Sequence, residues 1–370
     1  MNIIILKKNL RDALSIVEKA SGENFNLPVL KNILIKTDGA RLKLVATNLE
    51  IAVTSFASAK IIEAGEITVP GSTLTAIVSN LTSERVTLGT KGNTLRLTTD
   101  TYEATLQGLP AEEFPVIPEL KSEERWLECS SAVFKDGVSQ VISAVQISDL
   151  RPEISGLLFS AGGASFTITG TDSFRLAEKT IGENQIKTSL DEGVRVIVPL
   201  KTAQELLRNF GDDKPLTITF DENQIAFRTD DFTIISRLID GTYPEYDPIV
   251  PKSTETDIEV QREELMNALK LTGVFTSRVH EVKLSLRDNK KTLELSSVDQ
   301  AIGENRYLCA VKAKGEPVSV SFNWRYLLDG LKAVKGESVM LGLNGDVKPA
   351  LLRSAGDQSY FYVLMPIKSV

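Results

Sequence analysis

The chain has 370 residues, of which 42% are hydrophobic and 25% charged, so its composition is that of an ordinary globular protein with room for two or three domains. Its apolar runs all fall short of the ~20 residues of a membrane-spanning helix, and no secretory signal opens the sequence, which predicts a cytoplasmic protein. A net charge of −7, if spread evenly, would argue against a nucleic-acid partner.

One pattern of elements occurs three times along the chain. Each copy opens with a helix-like segment, LKKNLRDALSIVEKA, VFKDGVSQVISAVQI or VQREELMNALKLTGV. Asn48, Asp172 and Asp299 then occupy matching places, 124 and 127 residues apart. About twenty residues later, a β-rich run becomes an amphipathic helix in ITVPGSTLTAIVSNL, VIVPLKTAQELLRNF and VSVSFNWRYLLDGLKAV. Solenoid units have roughly 20–50 residues, so a period this long indicates three tandem copies of one domain.

The remainder of each copy is strand-like. Apolar and polar residues alternate in 93–108, 224–240 and 291–300, and Gly, Asp and Asn separate these runs as they do in hairpin turns. Each copy is therefore predicted to be β-α-β-β-β-α-β-β-β, with antiparallel sheets that hold helices on one face. This arrangement is an α+β fold.

Proline-rich segments mark the predicted domain limits. LPAEEFPVIPEL and IDGTYPEYDPIVP close the first and second copies, and proline favours extended backbone over helix. The sequence thus predicts three domains, at 1–121, 122–251 and 252–370.

Positive charge is concentrated on the six predicted helices. Together these helices have a net charge of +6, which leaves −13 for the remainder of the chain. A protein with this distribution could hold a polyanion on one surface and repel it elsewhere. The alternative is that Lys and Arg occur there because they are good helix formers.

No motif indicates an enzyme or a resident metal or cofactor. His280 is the single histidine, and no second residue is placed to complete a catalytic triad with it. Cys129 and Cys309 match no metal-ligand spacing and are predicted to be reduced thiols. The carboxylate pairs of GDD (211–213) and TDD (229–231) fit turns, although a metal-dependent hydrolase that uses them is an alternative.

Five segments together resemble the bacterial DNA polymerase III beta subunit family, the DNA sliding clamps. They are LPVLKNILI, PAEEFPVIP, GTDSFRLA, RLIDGTYPEYDPIVP and the terminal YVLMPIK, and they occur in the same order and over the whole chain. The resemblance implies a processivity factor that tethers the replicative polymerase. The alternative is a three-domain α+β scaffold or carbohydrate-binding protein with no role on DNA.

The resemblance implies a ring-shaped homodimer around duplex DNA, with helices inside and sheets outside. Such a ring attracts phosphate without reading bases, because it must slide. The residues expected to face DNA are Lys8, Arg11, Lys201, Arg208, Lys270, Arg325 and Lys332.

The resemblance also implies a cleft between the second and third domains, where short peptides of the polymerase, the clamp loader and other partners dock. Its expected residues are Arg151, Ile154, Thr171, Ser173, Phe174, Arg175, Leu176, Pro244, Ile249, Val363, Leu364, Met365, Pro366 and Ile367. Apolar residues at a chain terminus fit such a groove, and methionine suits a site that accepts several partners. The family commonly has Gly-His where this chain has Ser173 and Phe174, which leaves the peptide preference open.

Ring closure is expected to use Ile77, Ala104 and Leu106 of one copy and Val274 and Phe275 of the other. Basic residues that are common in the family at this interface are absent, since Thr73, Thr101 and Glu103 stand in their places. The interface should therefore depend mainly on apolar packing, while ring stability itself stays open.

Two loops depart from the family pattern. Asn24 occupies a place where the family often has arginine, and the loop SDLRPEIS lacks the aromatic residues that are frequent there. Contacts of these loops with DNA are therefore left open.

Overall fold

The structure, a computed structural model, describes residues 1–22, 27–120, 123–162, 165–190, 193–211 and 213–368. Asn24 lies outside these ranges, as does Asp212 of the GDD segment. The chain is divided into two compact units. The first unit comprises Met1–Ala132, Lys187–Ser189 and Gln204–Leu238, and the second comprises Val133–Ile186, Leu190–Ala203 and Ile239–Val370.

The first repeat contains eight strands and two α-helices in its described part. They are β1 (Asn2–Leu6), α1 (Lys7–Val17), β2 (Asn32–Asp38), β3 (Arg41–Thr47), β4 (Ile51–Glu63), β5 (Glu66–Pro70), α2 (Gly71–Asn80), β6 (Arg85–Lys91), β7 (Thr94–Thr98) and β8 (Glu103–Gln107).

The second repeat has the same plan with one additional short strand. Its elements are β9 (Trp126–Ser130), α3 (Ser131–Val141), β10 (Gly156–Gly162), β11 (Ser165–Thr171), β12 (Arg175–Gly182), β13 (Ile186–Thr188), β14 (Val194–Pro199), α4 (Leu200–Asn209), β15 (Pro215–Phe220), β16 (Gln224–Arg228) and β17 (Phe232–Arg237).

The third repeat follows the plan of the first. Its elements are β18 (Thr256–Gln261), α5 (Arg262–Thr272), β19 (Glu281–Leu286), β20 (Thr292–Asp299), β21 (Gly303–Lys314), β22 (Ser319–Asn323), α6 (Trp324–Ala333), β23 (Ser338–Leu343), β24 (Ala350–Ser354) and β25 (Tyr360–Leu364).

The α+β class is confirmed, but the predicted element order needs one correction. At least four strands, and not three, lie between the two helices of each repeat. The strands that run directly into the second helix, β5, β14 and β22, are the β-rich runs that the sequence marks there, so the predicted order undercounts the strands that come before them.

Each unit contains one large antiparallel sheet. In the first unit the sheet has 13 strands, and its main path is β13-β9-β15-β16-β17-β4-β1-β6-β7-β8, with β2, β3 and β5 beside it. In the second unit the 12 strands follow the order β14-β10-β11-β12-β25-β24-β23-β18-β21-β20-β19-β22. The strands of the second repeat are therefore shared between the two sheets, while the three-domain limits of the sequence stay a prediction.

Asn48, Asp172 and Asp299 explain part of the sequence repeat. In each case the side-chain Oδ1 accepts hydrogen bonds from the backbone N–H groups two and three residues later, at 2.8–3.2 Å. This Asx geometry closes the loop between two strands. Leu49 and Ser173, which follow directly in the first two repeats, have φ angles of 75° and 77°.

The core of each unit follows from the periodicity of its elements. Helix α1 buries Leu10, Ala13, Leu14 and Val17, the i, i+3, i+4, i+7 spacing of one helix face. In the second unit three phenylalanine rings, Phe134, Phe159 and Phe166, pack with centroids 5.4–6.2 Å apart. Such aromatic contacts add about 0.5–1.5 kcal/mol per pair beyond area burial.

Candidate functional site

The second unit contains a groove of about 400 Å³ with mostly apolar walls. The β11–β12 loop, the segment after β17 and the end of β25 form these walls. The lining residues are Arg151, Ile154, Thr171, Ser173, Phe174, Arg175, Leu176, Pro244, Tyr246, Ile249, Pro349, Val363 and Met365. Apolar concave surface with a few polar groups at its edge is the usual form of a ligand or peptide site.

Arg175 anchors the base of this groove. Its Nε donates to Asp172 at 2.8 Å, one terminal nitrogen donates to Asp329 at 2.9 Å, and its guanidinium carbon lies 4.2 Å from the centroid of the Tyr326 ring. Burial by itself would lower the pKa of Arg175, but Tyr362, Asp329 and Asp172 outweigh burial and raise the pKa. Arg175 therefore stays charged and holds the β11–β12 loop to α6.

Phe174 projects from this anchored loop with 61% of its surface exposed. Beside it, Ser173 accepts a hydrogen bond from Arg151 at 3.0 Å, and Arg151 also donates to Glu153 at 3.1 Å. The loop therefore offers a large apolar ring next to a polar edge. Exposed aromatic rings beside a groove are typical of surfaces that bind peptides.

The C-terminal segment forms the wall next to this loop. Strand β25 pairs with β12, and the Met365 N–H continues this pairing by donating to Phe174 O at 2.9 Å. The Ile367 N–H donates to Ser321 O at 2.8 Å. Of the predicted cleft residues, Leu364, Pro366 and Ile367 are not among the residues that line the groove, and Leu364 is buried in the sheet.

Tyr246 and Pro349 line the groove although the sequence did not predict them. The Tyr246 hydroxyl donates to Glu178 at 2.5 Å and lies 3.0 Å from the Thr169 hydroxyl. Burial raises the pKa of both Tyr246 and Glu178, so the bond joins a neutral phenol to a carboxyl group that holds its proton more tightly than usual. Tyr246 is the second tyrosine of the YPEYDP segment, which is the sequence signal that could have indicated this contact. No sequence feature marks Pro349.

The described residues offer few metal ligands or nucleophiles. No group of three or more His, Cys, Asp or Glu residues within the described ranges could hold a metal ion. Burial raises the pKa of the Cys129 and Cys309 thiols to about 12, so neither is a ready nucleophile. None of the helices that the structure describes combines the length and apolarity needed to cross a membrane.

All seven predicted DNA-facing cations are exposed. In the described part of the chain, Lys8, Lys201 and Lys270 form no ion pair. Arg11 pairs with Asp12, Lys332 with Asp329, and Arg325 lies against the Trp324 ring. Arg208 pairs with Glu205 and also donates to the carbonyl oxygens of Ser15 and Ile16. These helices therefore present cations that an anionic polymer could contact.

The residues predicted for ring closure differ in exposure. Val274, in a 3-10 turn after α5, is 63% exposed, and Phe275, Ile77 and Ala104 are partly exposed. Leu106 is buried within the first unit and leaves little surface for a partner. Exposed Leu271, Val298 and Ile302 are further apolar residues of the third repeat.

Three family models match the chain in order. They describe the N-terminal, central and C-terminal domains of the DNA polymerase III beta subunit and match residues 1–118, 128–245 and 248–368. The "Beta sliding clamp" of Synechococcus elongatus is 29% identical and that of Bacillus subtilis 26% identical, each aligned over 100% of this chain and at least 99% of the relative. A crystal structure of a DNA polymerase sliding clamp from Pseudomonas aeruginosa matches with a TM-score of 0.94 at 26% identity, with both chains fully covered.

Proposed function

Because the chain belongs to the DNA polymerase III beta subunit family and is a DNA sliding clamp, we propose that two copies close head to tail into a ring around duplex DNA. The family is one of processivity factors and not of enzymes, and its members work with DNA and a polymerase. The scaffold, carbohydrate-binding and hydrolase alternatives therefore no longer apply.

The proposed ring is built from three domains per copy, with limits at 1–121, 122–251 and 252–370. The three family-model matches, at 1–118, 128–245 and 248–368, support these limits. The proposed closure joins Ile77, Ala104 and the strand of Leu106 in one copy to Val274 and Phe275 in the other. The exposed apolar side chain of Val274 supports this assignment.

The proposed contact with DNA is electrostatic and independent of sequence. Its support is the set of exposed helix cations, above all Lys8, Lys201 and Lys270, which have no ion-pair partner among the described residues. Cations on a helix neutralise phosphates without reading bases, as a sliding protein requires. Lys8, Arg11, Lys201, Arg208, Lys270, Arg325 and Lys332 are the proposed DNA-facing residues.

Binding should therefore be topological. After loading onto a nicked circular duplex, the protein should stay bound during gel filtration and should leave once a restriction enzyme opens the circle. Blocking both ends of the linear product should restore retention, because a ring can leave only over an end. Equal retention on unblocked linear DNA would contradict encirclement.

The groove of the second unit is the proposed docking site for short peptides of the replicative polymerase, the clamp loader and other partners. The observation that supports this best is the groove itself, in which eleven predicted residues come together around exposed Phe174. A labelled peptide of the QLxLF type, titrated against the protein by fluorescence anisotropy, tests the proposal. Binding that is unaffected by substitutions at Phe174 and Met365 would remove the groove as the site.

A further inference from the structure

The first unit contains a second pocket, of about 250 Å³. Its walls are the β3–β4 loop, the proline-rich segment after β8 and the end of β17. The lining residues include Glu50, Ile51, Ala52, Gln224, Ile235 and Arg237. These elements are the counterparts, one repeat earlier, of those that form the groove of the second unit.

The backbone of this pocket reproduces that of the groove. The Arg237 N–H donates to Glu50 O at 2.9 Å, just as the Met365 N–H donates to Phe174 O at 2.9 Å. Strand register agrees as well, since Ile235 pairs with Ala52 where Val363 pairs with Leu176. The pocket therefore has the same backbone arrangement as the groove.

The side chains of the pocket differ in chemistry from those of the groove. Arg237 stands where the groove has Met365, Glu50 stands where it has Phe174, and Ala52 replaces Leu176. Apolar surface persists at the rim, where Val116 is 91% exposed. The pocket thus combines apolar surface with a cation, Arg237, and a carboxylate, Glu50, where the groove has Met365 and Phe174.

Two polar side chains of the pocket lack partners among the residues that the structure describes. Gln224 Oε1 is buried and accepts no hydrogen bond from them. Arg237, which lies opposite Gln224 in the β16–β17 ladder, is exposed and forms no ion pair within the described ranges. A buried amide oxygen without a donor is unfavourable, so a ligand that supplies an N–H is favoured there.

We propose that this pocket binds a second class of linear peptide, distinct from the one docked in the groove. Its occupant is an extended segment of a partner protein in which an acidic side chain meets Arg237, a neighbouring apolar side chain lies on Ile51 and Ile235, and a backbone N–H donates to Gln224. Charge complementarity at Arg237 selects this occupant over the largely apolar peptides that suit the groove. The site goes beyond the proposed docking function and does not depend on it.

The test uses two labelled probe peptides, SDLVL and its amide counterpart SNLVL, both with blocked termini. Dissociation constants are measured by anisotropy for the full-length protein and for Arg237→Gln. The acidic probe should bind more tightly than the amide probe, and Arg237→Gln should weaken the acidic probe about fivefold or more without affecting the amide probe. Lys91→Gln, which removes an exposed cation on β6 outside the pocket, should change neither.

Methyl NMR then locates the acidic probe, with shifts expected at Ile51, Ile117 and Ile235. Three outcomes would overturn the proposal. Arg237→Gln could weaken both probes equally, or a QLxLF-type peptide could displace SDLVL. The third outcome is that SDLVL does not bind at millimolar concentration. A change of oligomeric state in Arg237→Gln would also overturn it, because a second copy would then be the occupant. Affinity for the QLxLF-type peptide, measured in parallel, reports on the groove separately.

Discussion

Val274→Glu should convert the protein from a dimer into a monomer. The side chain is 63% exposed in the single chain and apolar, and Leu271 and Ile302 are exposed residues of the same repeat. A carboxylate buried at an interface without a partner costs several kcal/mol, and head-to-tail closure places the lesion at both interfaces. Light scattering should give a mass near 40.5 kDa for the variant and near twice that value for the original protein.

Phe275→Glu should have the same effect, since Phe275 ends the same 3-10 turn. Val347→Glu is the matched control, because it changes a valine of similar exposure, 55% against 63%, that is outside the proposed interface. A monomeric Val347→Glu would mean that added negative charge alone opens the dimer. If Val274→Glu and Phe275→Glu both remain dimeric at micromolar concentration, this surface is not the point of ring closure.

The repeat pattern predicted the helices because their signals are local. Helices α1, α2, α4 and α6 all start where an apolar strand run changes to helical spacing, and the structure begins them at Lys7, Gly71, Leu200 and Trp324. The repeated Asn or Asp likewise marks a local Asx loop. Such features depend on neighbours within a few residues, so one sequence is enough to place them.

The sheet order could not be predicted in the same way. Strand β4 pairs with β17, and β12 pairs with β25, between residues well over a hundred positions apart. Alternation of apolar and polar residues indicates a strand but not the strand with which it pairs. All the strands of these sheets have similar sequence patterns, so several pairings fit equally well. The division of the second repeat between two sheets therefore needed the structure.

The groove was predicted mainly through the family resemblance. The structure adds the contacts of individual side chains, which the resemblance does not give. Arg175 is not a free cation for a ligand, since Asp172, Asp329 and the Tyr326 ring already surround it. Ile367 points its backbone N–H to Ser321 and is not among the lining residues, whereas Met365 is. This difference between two neighbouring residues makes a sharper experiment possible.

Removal of residues 365–370 should abolish peptide binding at the groove and leave the fold and the dimer intact. Strand β25 ends at Leu364, so its pairing with β12 and β24 survives. Of the backbone hydrogen bonds between described residues, the two donated by Met365 and Ile367 are lost. Burial of a methionine side chain is worth about 1.5–3 kcal/mol, and loss of the whole wall should weaken a micromolar peptide about 100-fold. Anisotropy with a QLxLF-type peptide measures the change, and light scattering and thermal melting check the dimer and the fold.

Point variants separate the side chain from the backbone in this last prediction. Met365→Ala keeps the N–H that donates to Phe174 but removes the lining side chain, so we expect a loss of about tenfold in affinity. Ile367→Ala is the matched control, because it shortens an apolar side chain just outside the lining and should change affinity by less than about twofold. If instead Ile367→Ala weakens the peptide as strongly as Met365→Ala, the bound peptide extends past the groove along the C-terminus. Unchanged affinity in both variants and in the folded, dimeric truncation would show that the C-terminal wall does not contact the peptide, and the docking site would then have to lie elsewhere on the clamp.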